Sequence, residues 1–83
     1  MNFFQEIEAL VSAAQADSAE RARALLARFR TSQDRTTAID EFMLDFVTLV
    51  FVIDHGEAGY EKSLRKLTLL KLEKIKRLVS LPA

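Results

Sequence analysis

Eighty-three residues with an apolar content of 49% make one domain with a single modest core, and carry more apolar side chain than so small a chain easily hides by itself. The absence of cysteine excludes disulfides and thiolate metal sites and fits a reducing compartment, while two glycines and a single proline make long helices the default. Net charge is zero but unevenly spread: residues 1–56 hold nine acids and five arginines, −4, and residues 57–83 hold three acids and seven Lys/Arg, +4, so the two parts should attract within the fold.

The N-terminal stretch MNFFQEIEAL has acids where an export signal needs bases, and the uncharged run from Phe46 to Ile53 is far below the ~20 residues of a spanning helix. A cytoplasmic location is expected. The first helix is predicted from about Phe3 to Ala14. Asn2 stands three before Gln5 as a capping box, and Phe3, Phe4, Ile7, Leu10, Val11 and Ala14 share one face. After a short break, Asp17 with Glu20 reads as a second capping box, opening a helix to about Arg30 with Ala22, Leu25, Leu26 and Phe29 inside. So short a break dictates a helical hairpin.

Residues 31–37, TSQDRTT, are polar and non-periodic and read as the loop, with Thr37 capping a third helix from about Ala38 to Ile53. That helix contains FMLDFVTLVFVI. Ile39, Phe42, Met43, Phe46, Leu49, Val50 and Ile53 make one broad apolar face, and Glu41, Asp45 and Thr48 a narrow polar stripe. Leu44, Phe51 and Val52 are left over beside that stripe. The segment is rich in strand-forming residues, but its 3.6-residue period and the lack of any pairing partner favour a helix.

Gly56 closes this helix in a left-handed conformation, and the fourth runs from somewhere between Glu57 and Tyr60 to about Ser80, ended by Pro82. Its inner face is read as Tyr60, Leu64, Leu67, Leu70, Ile75 and Leu78. Lys71 falls awkwardly within that face and Lys74 at its edge, while Leu69 projects into a basic face of Lys62, Arg65, Lys66 and Lys76. At 1.5 Å per residue the first two helices are roughly 18–20 Å long, the third about 24 Å and the fourth about 30 Å. The far end of the fourth, near Leu72, Ile75, Val79 and Leu81, should therefore outrun its cover.

The expectation is a single all-α domain over residues 1–83. It is a four-helix antiparallel bundle with two short N-terminal helices, a very apolar third and a long basic amphipathic fourth, completed by a second copy or by a larger protein.

Chemistry has little to rest on. His55 is the lone histidine, and one imidazole beside Asp54 and Glu57 is not a ligand set. No nucleophile stands near a base and no glycine-rich loop exists, so neither enzymatic activity nor a cofactor is expected. The leading reading is a protein–protein interaction module: a small regulator, adaptor or inhibitor. Its candidate contact residues are Leu69, Lys62, Arg65, Lys66, Leu72, Lys76 and Val79 on the fourth helix. Glu41 and Asp45 join them on the third; these are like charges at i,i+4 that persist most easily against a basic surface. The alternative is a nucleic-acid-associated protein using the basic face of the fourth helix. Zero net charge and the placing of Tyr60 inside weigh against it.

Overall fold

A computed structural model describes residues 2–80, with Ala58 described by its backbone alone. These residues form four α-helices and no strand: α1 Phe3–Ser12, α2 Ser18–Leu26, α3 Gln33–Asp54 and α4 Ala58–Ser80. A single 3-10 turn, Ala27–Phe29, continues α2. The expected end of the last helix at Pro82 and the surface at Leu81 lie outside the described residues.

The first three helix starts each have a local cause. At α1 the capping box is complete: the Gln5 N–H donates to Asn2 Oδ1 at 2.8 Å, and the Asn2 N–H donates to Gln5 Oε1 at 3.1 Å. At α2 the expected Asp17 side-chain cap is not made. Ser18, itself buried, accepts the Gln15 N–H on its hydroxyl at 2.9 Å and closes the turn one residue later.

The largest departure is at α3. Residues 33–37 are helical rather than loop, because Ser32 takes the capping role assigned to Thr37 and accepts the Arg35 N–H at 3.2 Å. Asp34 in the first turn adds a charge that the helix dipole favours. A polar stretch here means only that the first turn and a half of α3 has nothing to bury. At the other end Gly56 adopts φ 68° as expected. Its N–H donates to the Ile53 carbonyl at 3.2 Å, and the Glu57 N–H donates to the Val52 carbonyl at 3.0 Å. This pair of bonds is the Schellman arrangement, which satisfies the carbonyls a helix end leaves open.

At 22 and 23 residues, α3 and α4 are each about 33–35 Å long, and they lie against each other along their length. Contacts pair rising numbers in α3 with falling numbers in α4: Arg35 donates to the Leu78 carbonyl, and Glu41 meets Lys71. The shorter α1 and α2 pack on this hairpin, α1 against α4 and α2 against α3, giving an elongated body of 42 × 22 × 16 Å. Between them lies the core, with Ile7 and Val11 from α1, Ala22 and Leu26 from α2, Ile39, Phe42, Phe46 and Leu49 from α3, and Leu72 and Ile75 from α4. Phe3, Phe4 and Phe29 close one end with ring centroids 5.1–5.8 Å apart, in the edge-on and offset geometries aromatic rings prefer.

The face α4 turns inward differs from the sequence expectation. Leu64, Thr68, Leu72, Ile75 and Val79 point to the core, whereas Tyr60, Leu67 and Leu70 stand exposed. Thr68 makes this rotation possible. Its hydroxyl donates to the Leu64 carbonyl at 2.7 Å, so a residue counted as polar is buried with its hydrogen bond satisfied inside its own helix. The same rotation removes the oddity of Lys71 and Lys74. They sit beside α3 and share Glu41, at 3.3 and 3.7 Å.

Candidate interaction surface

Within the region expected to be uncovered, Leu72 and Ile75 are covered. α1 lies along α4 where the Arg65 guanidinium donates to the Val11 carbonyl at 3.3 Å and Lys76 pairs with Glu8 at 2.9 Å. It thereby hides the stretch containing Leu72 and Ile75. Leu72 is fully buried and offers nothing to a partner, and Val79 is half-buried against the core. Val52, left over in the sequence count, is also buried. Among the described residues, what remains open is a side of the hairpin.

Leu44, Val47 and Phe51 follow one another at helical spacing on the α3 face turned away from Phe42 and Phe46. Tyr60 and Leu67 do the same on α4. All five are between 45% and 69% exposed. The Glu41–Lys71–Lys74 cluster shows that the two stripes flank one seam: Glu41 is one turn from Leu44, and Lys71 one turn from Leu67. Together these side chains leave on the order of 500 Å² of largely apolar surface in water, an amount comparable with the largest apolar patches of soluble monomers. Leu44 and Phe51 were legible in the sequence as leftovers. Tyr60 and Leu67 were not: both fall within the inner face read from spacing, whereas the fold turns Thr68 inward and leaves them exposed. Phe51 further stacks on His55, centroids 3.9 Å apart, and the His55 Nδ1 lies 2.9 Å from the Phe51 carbonyl, so the lone histidine closes the edge of this apolar stripe.

The charged residues singled out from the sequence divide into engaged and free. Glu41 is held by Lys71 and Lys74, and Arg65 by Glu61 and the Val11 carbonyl. The latter contact places a cation on an open carbonyl at the C-terminal end of α1, where the helix dipole favours it. Lys76 bridges Glu8 and Glu73 at 2.9 and 3.0 Å; its hydrogen bonds to Glu8 first and Glu73 second raise its pKa above the usual lysine value. Among the described residues, Asp45, Lys62 and Lys66 have no ion-pair partner. The attraction expected between the acidic and basic parts of the chain is thus carried chiefly by Glu8 and Glu41, in partly exposed pairs worth about 0–1 kcal/mol each.

Leu69 is half-buried. With Leu70 it floors a groove of about 550 Å³ between α1 and α4, whose rim carries Lys62 and Lys66 at one end and Glu8 and Glu73 at the other. Among the described residues no three metal-ligating side chains converge, and no helix is long and apolar enough to cross a membrane. The chain matches no protein-family model, no curated protein and no solved structure, so the functional reading rests on its own residues.

Proposed function

We propose that this chain is a non-enzymatic protein-binding module, a small cytoplasmic regulator, adaptor or inhibitor, whose contact surface is the open side of the α3–α4 hairpin. The observation that carries this is the exposure of Leu44 and Phe51 on α3 and of Tyr60 and Leu67 on α4 beside the seam marked by Glu41, Lys71 and Lys74, with Val47 exposed on the outer side of α3. A standard interface removes roughly 800 Å² per partner from water, and these side chains supply most of that as apolar area. A homodimer of antiparallel four-helix bundles is the simplest occupant, since an apolar face crossed by both acids and lysines is complementary to itself under two-fold symmetry.

The test places a photo-crosslinking amino acid at position 51, and in a control at the exposed Ala24 of α2. Adducts at 51 and not at 24, whether to a second copy or to a larger protein, support the proposal. Equal labelling at both positions, or none at 51, defeats it. Light scattering separates the occupants: a dimer mass that falls to monomer on Phe51→Asp, with helicity unchanged, selects the second copy.

Binding of nucleic acid through α4 has less behind it. Arg65, Lys71, Lys74 and Lys76 are each engaged by acids of the chain, Lys71 and Lys74 sharing one carboxylate. Tyr60 is exposed, but it lies on the opposite side of the helix from Lys62, so a base stacked on it could not share that lysine. Salt-sensitive retention on DNA or RNA, lost on charge reversal at Lys62 and Lys66, is the outcome this reading requires.

A further inference from the structure

We propose that the groove between α1 and α4 is a second docking site, and that it receives an acidic amphipathic helix of a partner protein. This rests on the reading of the chain as a binding module but uses a surface distinct from the Leu44–Phe51 stripe. The volume of about 550 Å³ lies in the range of ligand sites, which are mostly apolar with a few placed polar groups. Leu69 and Leu70 are that apolar floor, and Leu70 is 56% exposed.

The charge on the rim selects the occupant. Lys62 and Lys66, one turn apart, point two unneutralised ammonium groups at one end of the groove, while Arg65 between them is spent on Glu61 and the Val11 carbonyl. At the other end Glu8 and Glu73 share the ammonium of Lys76, and the Arg77 guanidinium one turn on from Glu73 brings that end close to neutral, so the two lysines set the sign of the groove. From Lys62 to Glu73 is about 16 Å along α4, three helical turns. The complement of this rim is a three-turn segment with carboxylates at one end and leucine-like side chains after them.

Two considerations favour a helix over an acyl chain with an anionic head. The groove is open along its length, so an acyl chain would leave one flank in water, whereas an amphipathic helix brings its own polar side. Its walls are two helices in contact, and the hollow between such a pair accepts the side-chain ridge of a third.

The experiment uses the full chain and a fluorescent synthetic three-turn peptide, stabilised as a helix, with two Glu at its start and Leu at i, i+3, i+4 and i+7. A second peptide carries Lys in place of Glu. Anisotropy should show saturable binding of the Glu peptide and at least about tenfold weaker binding of the Lys peptide, as expected when charge decides between partners. Reversing Lys62 and Lys66 to Glu should invert that preference. Leu70→Ser should abolish binding while far-UV circular dichroism is unchanged, because Leu70 is exposed. Phe51→Asp should leave binding intact, so loss of the hairpin face and loss of the groove are read separately. Binding indifferent to peptide charge or to Leu70 overturns the proposal. So does saturable uptake of laurate in place of the peptide, or a fall in mass on Leu70→Ser that shows the groove to be filled by a second copy.

Discussion

Replacing glycine by alanine at two positions three residues apart should move stability in opposite directions. Gly56 sits at φ 68°, and a methyl group added there would meet no atom within 4 Å. The cost of Gly56→Ala is therefore purely conformational, about 1 kcal/mol for an L-residue in the left-handed region, at the turn that joins α3 to α4. Gly59 lies within α4 without a positive φ, and an added Cβ is again free of contacts within 4 Å. There alanine removes unfolded-state freedom without strain and should stabilise by about 0.5 kcal/mol. For a domain of this size 1 kcal/mol corresponds to roughly 4–8 °C in Tm, so Gly56→Ala should melt clearly below the parent and Gly59→Ala a few degrees above it. The assay is thermal and urea unfolding followed by far-UV circular dichroism, at one fixed protein concentration because self-association makes Tm concentration-dependent. A neutral or stabilising Gly56→Ala would refute the left-handed closure of α3. A destabilising Gly59→Ala would refute a start of α4 at Ala58.

Phe46→Ala removes a fully buried ring packed edge-on against Phe42 and should cost about 3–5 kcal/mol in urea unfolding; Phe51→Ala, on the open face, should cost well under that. Ser32→Ala should destabilise by about 1 kcal/mol and Thr37→Ala by much less, since Ser32 and not Thr37 caps α3; equal losses would restore the loop at 31–37. Lys76, whose pKa is raised by Glu8 and Glu73, contributes stability that is present at neutral pH, below its unfolded value of about 10.4, and is lost as pH rises through the folded value. The stability difference between the parent and Lys76→Met should accordingly be constant through the neutral range and vanish in strong alkali.

The side of the hairpin that carries the proposed contact surface was half legible in the sequence. On α3 the apolar residues outnumber what one face can bury, so Leu44 and Phe51 emerged as surplus from spacing alone. On α4 the surplus was misplaced. Leucines occur on nearly every side of that helix, so its spacing alone admits more than one rotation. The charged candidates behaved similarly: Lys71 and Lys76 could be named from the sequence, but whether an ammonium is free depends on which carboxylate the fold brings to it.

Four helical segments, the all-α class, the apolar dominance of α3 and the left-handed stop at Gly56 followed from the sequence by itself, because periodicity, capping residues and glycine freedom act over a few residues. The rotation of α4, the burial of Thr68 and Leu72 beneath α1, the sharing of Glu41 by two lysines and the groove above Leu69 and Leu70 were decided only in the tertiary structure. Each depends on which helix lies against which, and that is set by the summed burial of side chains far apart in the chain, a quantity that no local pattern contains.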